Sequence, residues 1–246
     1  MQLQDKIVAV TGATRGLGLA IVRAFAAEGA SVAMLARNSV DLLRVAKEVS
    51  GSLPIVCDVS NPADVRAGFA RIAAEFDGLD VLVNNAAVGN PQLIEESSDD
   101  LLRLEVEVNL LGPLYCMREA IPLLRARGSG DIINVSSEAV NNPYPFLGLY
   151  AATKSALETL SAAVRAEVGD SGIRVAVYRS ARVIGGTFSR DWDPQVTERA
   201  RTAAAATGFY ERSGKAIPAE VAANNILQWV LSDRSTRIDL IEPDGD

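Results

Sequence analysis

Three side chains between residues 136 and 154 could carry out acid/base chemistry together. Tyr150 and Lys154 are four residues apart in a helical pattern, so their side chains share one face of the predicted helix. Ser137 closes the apolar run 132–135, which is typical of a buried strand. A serine at the end of a strand would therefore face a tyrosine near the start of a helix.

A tyrosine that exchanges protons near neutral pH needs a lowered pKa. A phenol titrates near pH ~10, so holding it partly ionised near neutrality costs roughly 4 kcal/mol. An ammonium about 5 Å away supplies roughly 3 kcal/mol at an effective dielectric of about 20, and a positively charged nicotinamide could add the rest. Ser137 would hydrogen-bond the substrate oxygen while Tyr150 exchanges a proton with it. Alone, Tyr-x-x-x-Lys is more often a surface pair, so its meaning depends on the residues upstream.

A glycine-rich turn follows the first β-prone run, residues 6–11. Gly12, Gly16 and Gly18 stand between that run and a helical pattern that continues to residue 30. Gly12 permits a sharp turn, while the other two let backbone amides and the helix N-terminus approach a pyrophosphate. The order strand, turn, helix favours a dinucleotide site over a turn without a ligand.

Two arginines favour NADP(H) as the dinucleotide. The second predicted strand, residues 31–36, ends at Arg37 without a carboxylate. Folds that select NAD commonly have an acidic residue here, whereas an arginine accommodates a 2′-phosphate. Arg15 in the glycine turn is expected to point to the same place, with each charge-assisted contact worth about 1.5 to 3 kcal/mol. The alternative is that both are solvated loop arginines.

Polar residues also follow the third and fourth predicted strands. Asp58 could accept a hydrogen bond from an adenine amine or cap the next helix. Asn85 and Ala86 suit a place where a ligand passes close to the backbone. Asn109 lies among apolar neighbours in a long helical pattern, residues 98–127. It could be a satisfied core amide, distort the helix, or anchor a water that reaches Lys154.

The regular pattern stops after the sixth predicted strand, residues 173–178. Residues 180–214 form a long excursion at the ligand edge, which suggests a lid or a substrate-selecting segment; a solvated insertion with a short helix is the alternative. A last helix over 218–231 and a strand over 237–241 follow. Four aromatic side chains could line an apolar substrate pocket or simply pack: Tyr144, Phe146, Phe188 and Trp192.

Composition excludes several classes of function. The 246 residues include no histidine, which rules out a Ser-His-Asp triad and any His-ligated metal site, and we expect no metal. A net charge of −7 argues against nucleic acid as a partner. Cys57 and Cys116 are expected to be buried without a disulfide. With no basic leader and no bilayer-spanning apolar stretch, we expect a cytoplasmic protein that does not bind membranes.

Strands alternate with helices six times, which predicts an α/β fold with a doubly wound parallel sheet and helices on both faces. We expect residues 1–246 to form a single domain. Ligands of such sheets bind beyond the carboxyl ends of the strands. The candidate residues occupy those ends, and this shared edge is stronger support than any single motif.

From residue 6 to about residue 241, the sequence resembles the classical short-chain dehydrogenase/reductase (SDR) family. The matching motifs are Thr11-Gly-x-x-x-Gly-x-Gly18, Asp58-Val59, Asn84-Asn-Ala86, Asn109, Ser137 and Tyr150-x-x-x-Lys154. Thirteen positions separate Ser137 from Tyr150. The resemblance implies a Rossmann-like sheet of about seven strands in the order 3-2-1-4-5-6-7.

The resemblance also implies roles for single residues. Tyr150 is the expected general acid/base, Ser137 the partner of the substrate oxygen, and Lys154 a ribose ligand that lowers the pKa of the tyrosine. Asn109 is expected to hold the water of a proton relay. The expected cofactor contacts are Gly12, Thr14, Arg15, Gly16, Leu17, Gly18, Arg37, Asp58, Val59, Asn85, Ala86, Tyr150, Lys154 and Val183.

Several positions depart from the family pattern, among them the C-terminus, which lacks the glycine-rich ending common in the family. Ala87 stands where the family usually has glycine, and Ser180-Ala181 replaces the Pro-Gly that meets the nicotinamide in family members. We expect an NADP(H)-dependent oxidoreductase of the carbonyl reductase type, acting on a carbonyl or secondary alcohol carbon of a small hydrophobic substrate. The alternatives are an NADP(H)-binding sensor or scaffold without turnover, and an epimerase or dehydratase on the same fold. We also expect a homodimer or homotetramer formed through helices 98–127 and 149–169, whose apolar surface exceeds what one sheet face covers.

Overall fold

A seven-stranded parallel sheet forms the centre of the structure, a computed structural model that describes residues 2–235 and 238–243. Two further short strands, β7 and β8, pair in parallel outside it. The order in the large sheet is β3-β2-β1-β4-β5-β6-β9, so the predicted fold class and strand order are confirmed. The strands are β1 (Ile7–Thr11), β2 (Ser31–Ala36), β3 (Ser52–Val56), β4 (Val81–Asn84), β5 (Gly130–Ser137), β6 (Ile173–Ser180), β7 (Val183–Ile184), β8 (Ile217–Pro218) and β9 (Leu240–Ile241).

Helices cover both faces of the sheet and bury one apolar cluster on each. One cluster joins α1, α2 and α9 to one face, and the other joins α3, α5 and α6 to the opposite face. Successive strand residues point to opposite faces, so Val8 belongs to the first cluster and Ile7 to the second. The helices are α1 (Gly16–Ala27), α2 (Ser39–Ala46), α3 (Pro62–Phe76), α4 (Asp99–Val106), α5 (Gly112–Ala126), α6 (Gly148–Val168), α7 (Pro194–Ala206), α8 (Phe209–Arg212) and α9 (Ala219–Leu231).

The long helical pattern over 98–127 contains a distortion at the position of Asn109. Residues Glu107–Leu111 form a π-helical turn between α4 and α5. Such turns widen the helix locally and change where side chains point. Here the turn lies where the Asn109 side chain bonds to the backbone of a neighbouring loop. The helix distortion predicted for this residue is therefore confirmed.

The second half of the chain holds more regular structure than the sequence pattern indicated. The excursion after β6 contains α7 and α8, and β7 and β8 join its two ends. The predicted last strand is reduced to Leu240–Ile241, and its first residue, Arg237, lies outside the described residues. In the part of the chain that the structure describes, no helix combines the length and apolar content needed to cross a bilayer. The cytoplasmic location stays a prediction.

The two cysteines lie in the interior as the sequence predicted. Cys57 and Cys116 are both buried and free. Burial raises the pKa of the Cys57 thiol to about 12 and also raises that of Cys116. Both side chains therefore act as small apolar groups of the same cluster.

A buried carboxylate ties the strands together at the sheet edge opposite their carboxyl ends. Asp131 on β5 is only 3% exposed and stands beside Arg174 on β6. Arg174 donates to both carboxylate oxygens at 2.8 and 3.1 Å, and Arg234 donates to the same group at 3.0 and 3.1 Å. The Arg174 guanidinium also lies 4.4 Å from the centre of the Trp229 ring.

Loss of Asp131 should destabilise the protein far more than loss of Arg234. Asp131→Ala should lower the free energy of unfolding by about 3 to 5 kcal/mol, because it leaves the largely buried Arg174 charge without a carboxylate. Arg234→Gln should lower it by about 1 kcal/mol or less, since the Arg234 side chain is 42% exposed and its pair is screened by water. Urea unfolding of both variants measures the difference. Similar losses for the two would contradict the assignment of Asp131 as a buried anchor.

Candidate active site

A cavity of about 800 Å³ lies at the carboxyl ends of the strands. Every residue predicted to contact a cofactor lines it, Gly12 and Val183 among them. Ser137, Tyr150 and Lys154 line it as well, together with Tyr144, Phe188 and Trp192. Asn109 and Phe146 do not, and Phe146 instead lies beneath the Arg199 guanidinium, 5.3 Å from its ring centre. Phe146 is thus removed from the predicted substrate contacts.

The glycine turn at one end of the cavity has no room for side chains. A Cβ on Gly18 would lie 2.2 Å from the Gly12 carbonyl oxygen and 2.6 Å from Nδ2 of Asn85. Gly12 itself adopts a φ of +66°, which favours glycine. Asn85 Nδ2 donates to the Thr11 carbonyl at 3.0 Å, which ties the ends of β1 and β4 together. The turn presents bare backbone and the start of α1 to the cavity, the arrangement that fits a pyrophosphate.

Both predicted phosphate-binding arginines line the cavity, and each faces a carboxylate. Arg15 Nη1 is 3.7 Å from Asp191, and Arg37 Nη1 is 4.0 Å from Asp58. Asp41 on α2 lines the same cavity. The sequence pattern placed no carboxylate at the end of β2, but the end of β3 brings Asp58 beside it. The two pairs are long and the arginines half-exposed, so each pair contributes little to stability.

Asp58 does not cap α3, which was one of its two predicted roles. Its Oδ1 accepts hydrogen bonds from the backbone N–H and the hydroxyl of Ser60 at 3.0 and 2.7 Å. The cap of α3 is Asn61, whose Oδ1 accepts from the Ala63 N–H at 2.9 Å. Asp58 therefore shapes the turn between β3 and α3 and keeps its second oxygen toward Arg37.

The predicted acid/base residues come together from two elements. Ser137 ends β5, and its Oγ accepts the Ala139 N–H at 3.1 Å. Tyr150 and Lys154 lie one turn apart on α6, with Lys154 Nζ 5.8 Å from the centre of the Tyr150 ring. Lys154 is 2% exposed and donates to the Val135 carbonyl at 2.7 Å. The serine from β5 and the lysine from α6 therefore both lie beside the tyrosine.

Burial has the largest effect on the pKa values of Tyr150 and Lys154. The pKa of Tyr150 shifts in the direction opposite to the sequence-based expectation. It raises the pKa of Tyr150 to about 12, the charges of Glu105 and Glu138 act in the same sense, and hydrogen bonding from Ser137 acts against them. Burial also lowers the pKa of Lys154 to about 8. The predicted lowering of the tyrosine pKa is not found, because burial of the phenol raises its pKa overall. The phenol keeps its proton at neutral pH.

Asn109 is a satisfied core amide that orders the surroundings of the site. Its Oδ1 accepts the Val88 N–H at 2.9 Å, and its Nδ2 donates to the Val88 carbonyl at 2.8 Å and to Thr153 Oγ1 at 3.2 Å. Thr153 in turn donates to the Tyr150 carbonyl at 2.8 Å. Asn109 therefore fixes the loop after β4 against the first turn of α6. Its role in a water relay stays a prediction.

Three glutamates around the site were missed by the sequence reasoning. Glu105 is 1% exposed and accepts the Asn90 N–H at 2.7 Å. Glu138 accepts the backbone N–H groups of Arg182 and Gly214. Glu158 accepts from the Ser136 hydroxyl at 2.7 Å. Two signals were present: Glu138 directly follows Ser137, and Glu158 lies one turn beyond Lys154 on the same helix face.

The excursion after β6 covers the cavity. The ring of Phe188 lies 5.0 Å from that of Tyr150, and the Trp192 indole N–H donates to the Gly89 carbonyl. Farther along, Arg199 donates to both carboxylate oxygens of Glu96 at 2.8 and 3.1 Å. These contacts reach the loops after β4 and the start of α6, so the segment spans the mouth of the cavity.

The family model of the short chain dehydrogenases matches residues 6–187, which include the glycine turn, Ser137, Tyr150 and Lys154. The chain belongs to the short-chain dehydrogenase/reductase family. Among curated relatives of this SDR, the 3beta-hydroxysteroid dehydrogenase of Mediterraneibacter gnavus is 37% identical over 177 residues, which cover 70% of this chain and 64% of that protein. The L-fucose dehydrogenase of Bos taurus is 34% identical over 227 residues, which cover 89% of this chain and 80% of that protein.

Solved SDR structures share the whole fold. A metagenomic short-chain oxidoreductase in complex with NADP superposes with a TM-score of 0.82 at 25% identity, covering 99% of this chain and 100% of that one. The 3-ketoacyl-(acyl-carrier-protein) reductase from Brucella melitensis complexed with NADH also has a TM-score of 0.82, at 27% identity, covering 99% and 98%. These structures contain NADP in one case and NADH in the other. The likeness supports a nicotinamide cofactor for this SDR without choosing between the two forms.

The burial of Lys154 predicts a change of stability with pH. Its pKa is about 8 in the folded protein against 10.5 for a free lysine, so the unfolded chain holds one more proton between these values. The free energy of unfolding contributed by this group therefore rises with pH across this interval, on the order of 3 kcal/mol. Lys154→Met lacks this dependence, while the other titrating groups are shared by both proteins.

Urea unfolding below pH 8 and above pH 10.5 measures the effect. Wild type should gain stability relative to Lys154→Met as the pH rises across that interval. Identical pH profiles for the two proteins would contradict the burial of a charged lysine.

Proposed function

We propose that this SDR is an NADP(H)-dependent oxidoreductase that transfers a hydride between the nicotinamide and a carbonyl or secondary alcohol carbon of a small hydrophobic substrate. One observation carries the proposal: Ser137, Tyr150 and Lys154 lie on one wall of a cavity that has the bare glycine turn at its other end. Acid/base groups and a phosphate-binding turn in one cavity suit a dinucleotide that reacts with a second molecule.

The glycine turn would hold the pyrophosphate of the cofactor. Because Gly18 has no Cβ, the start of α1 packs against the Gly12 carbonyl and the Asn85 amide, and the N-terminus of α1 at the cavity would bind the anion. Thr14 and Leu17 line the same wall, while Asn85 and Ala86 form the floor beside it. Val183, just beyond β6, would flank the nicotinamide together with Tyr150.

The chain's own side chains would handle the substrate oxygen and its proton. The bound nicotinamide supplies the hydride in reduction and accepts it in oxidation. Ser137 Oγ accepts the Ala139 N–H and is hydrogen-bonded to Tyr150, and its O–H would donate to the substrate oxygen in place of the phenol. In reduction, Tyr150 gives its proton to that oxygen, and solvent later restores it. A phenol with a pKa of about 12 keeps its proton at neutral pH, which suits the donor role.

Lys154 would act mainly on the charge that Tyr150 acquires. Its ammonium is anchored on the Val135 carbonyl and lies beside the phenol ring, so it would stabilise the phenolate left after proton donation. Its other N–H groups can reach a ribose hydroxyl. Asn109 would keep the turn of α6 that carries both residues in place, through Thr153.

A preference for NADP(H) rests on Arg15 and Arg37. Both guanidiniums line the cavity and make only long contacts to half-exposed or exposed carboxylates. A dianionic 2′-phosphate offers each arginine a stronger, bidentate partner. Residues 180–214 would act as the lid and as the wall that selects an apolar substrate, through Phe188 and Trp192.

Assembly into a homodimer or homotetramer stays part of the proposal. The apolar helix surface that suggested assembly is less exposed in the structure than the sequence indicated. Among the large apolar residues exposed in the described ranges, only Leu114 lies on α4, α5 or α6. Smaller or half-buried side chains would have to supply the rest of an interface.

Removal of the Tyr150 hydroxyl should abolish most turnover. Tyr150→Phe should lower the rate of NADPH oxidation by about 10²- to 10⁴-fold, because the proton donor is lost, while NADPH binding is retained. The matched control is Tyr115→Phe on α5, outside the cavity. A carbonyl panel followed by NADPH absorbance, with binding followed by fluorescence, measures both quantities.

Near-wild-type turnover in Tyr150→Phe would refute the catalytic role. NADPH binding without any turnover by wild type would instead favour a sensor or scaffold. Substrate conversion without net cofactor oxidation would favour an epimerase or dehydratase.

The two arginines should govern the choice of cofactor. Arg15→Ala combined with Arg37→Ala should weaken NADPH binding by about 100-fold or more, since two charge-assisted contacts are lost, and should change NADH binding far less. The double variant Arg23→Ala, Arg44→Ala removes the same charge from helix surfaces outside the cavity and serves as control. Fluorescence titration gives both dissociation constants. Equal losses for the two cofactors would exclude a phosphate site at these arginines.

A further inference from the structure

The end of the cavity beyond Tyr150 has aromatic walls. Phe188 lies 5.6 Å from Trp192 between ring centres, and Tyr144 lies 4.8 Å from Phe209 with the rings almost perpendicular. The hydroxyls of Tyr144 and Tyr210 are 3.4 Å apart. This end therefore combines apolar ring faces with two phenolic donors, in a chain with only 5% aromatic residues.

A cationic side chain stands at this end without an ion-pair partner. Four cations line the cavity, and three of them have contacts: Arg15 with Asp191, Arg37 with Asp58, and Lys154 with a backbone carbonyl. Within the described ranges, the guanidinium of the fourth, Arg182, has no carboxylate at ion-pairing distance. An exposed arginine often faces only water, so its position decides what it can bind.

The backbone of Arg182 is held close to the reacting group. Its N–H donates to the carboxylate of Glu138, the residue after Ser137, and its carbonyl accepts the Ile217 N–H at 2.9 Å. Ser180, two residues earlier, pairs with Ser137 across β5 and β6. The side chain thus starts from a fixed point beside the proposed substrate-oxygen site.

The surroundings of Arg182 favour an anion over a cation. Its positive charge and that of Arg201 act to lower the pKa of Tyr144, although burial raises it overall. The Arg182 charge also acts on Glu138, whose oxygens accept the backbone N–H groups of Arg182 and Gly214 and which forms no ion pair with the guanidinium in the described part of the chain. A guanidinium with two nearby phenolic donors can bind a carboxylate through charge-assisted hydrogen bonds.

We propose that Arg182 determines substrate specificity by binding a carboxylate of an aryl or similarly apolar keto acid, with the hydroxyls of Tyr144 and Tyr210 as further donors. The inference rests on the proposed oxidoreductase function and adds the class of substrate. The aromatic walls bind the apolar body, Ser137 and Tyr150 bind the ketone oxygen, and Arg182 holds the acid group.

The test compares acids with their methyl esters at a constant ketone. The substrates are benzoylformate, 3-benzoylpropionate and 4-benzoylbutyrate, each with its methyl ester. In this series the distance between the ketone and the carboxylate increases, so one member can match the distance from the ketone site to Arg182. Wild type should prefer at least one acid over its ester. Arg182→Gln should reduce that acid-to-ester ratio of kcat/KM by about 10- to 100-fold, mainly through KM, and Arg182→Lys should restore part of it. Arg190→Gln, an exposed arginine of the same segment outside the cavity, should leave the ratio unchanged.

Two results would overturn the proposal. One is that wild type prefers the ester in every acid–ester pair. The other is that Arg182→Gln lowers kcat/KM equally for acid and ester, or weakens NADPH binding. That second result would assign Arg182 to the cofactor or the lid. Binding of 4-phenylbutyrate, which has no ketone, is measured separately by calorimetry with NADP⁺ present. Binding that requires Arg182 without turnover of any ketone would uphold the anion site while the proposed reaction fails.

Discussion

The hydrogen bond from the buried ammonium of Lys154 to the Val135 carbonyl sets the geometry on which the site depends. A buried charge must be paired or hydrogen-bonded, so this contact fixes the height of α6 over the end of β5. Two further polar contacts join β5 to α6 along the same seam, the line of contact between this strand and this helix: Ser136 donates to Glu158, and Asn134 donates to Ser161. Residues 134–136 of the strand are thus bound to three successive turns of the helix, at residues 154, 158 and 161. The tyrosine and serine at the open end are aligned because the rest of the seam is already in register.

The burial that orders this seam also sets its electrostatics. Desolvation raises the pKa of the phenol to about 12 and lowers that of the lysine to about 8, so both groups bind protons differently from the same groups in water. Such a site costs stability and is tolerated because the surrounding structure is well determined. Glu158 shows how: it accepts from Ser136 and from Arg179, whose guanidinium also donates to Glu242 near the chain end. Glu158, Arg179 and Glu242 are thus paired with one another, whereas the Lys154 ammonium is held by a backbone carbonyl.

The architecture could be predicted from the sequence because strand ends are visible as changes in the hydrophobic pattern. Apolar runs followed by glycine, arginine or asparagine identified the cavity edge, and the lining of the cavity by Arg37, Asn85 and Ser137 follows from parallel strand order. Properties that depend on three-dimensional neighbours were not predictable. Asp58 comes beside Arg37 only because β3 is next to β2, and the pKa of Tyr150 depends on burial that no spacing reveals.

The aromatic residues show a second limit. Phe146 and Phe188 look alike as apolar residues near the ligand edge. Phe146, however, adopts a φ of +71° and packs beneath Arg199, whereas Phe188 reaches Tyr150. No pattern in the sequence indicates a left-handed backbone at a non-glycine residue. The excursion was similarly hard to interpret, since the alanine-rich run 200–206 fits both a solvated insertion and the ordered α7.

The replacement of Pro-Gly by Ser180-Ala181 has a structural consequence that bears on the whole substrate end. A proline cannot donate to a sheet ladder, so it would end β6 before this point. With serine there, β6 continues to Ser180 and stays paired with β5 as far as Ser137. The chain then leaves the sheet at Ala181, and Arg182 follows within two residues of Ser180, the strand partner of Ser137. At this departure from the family pattern, the paired part of β6 thus reaches the wall of the cavity. The bonds from Arg182 and Gly214 to Glu138, together with the β7–β8 pair, join the two ends of the segment that follows without using the central sheet.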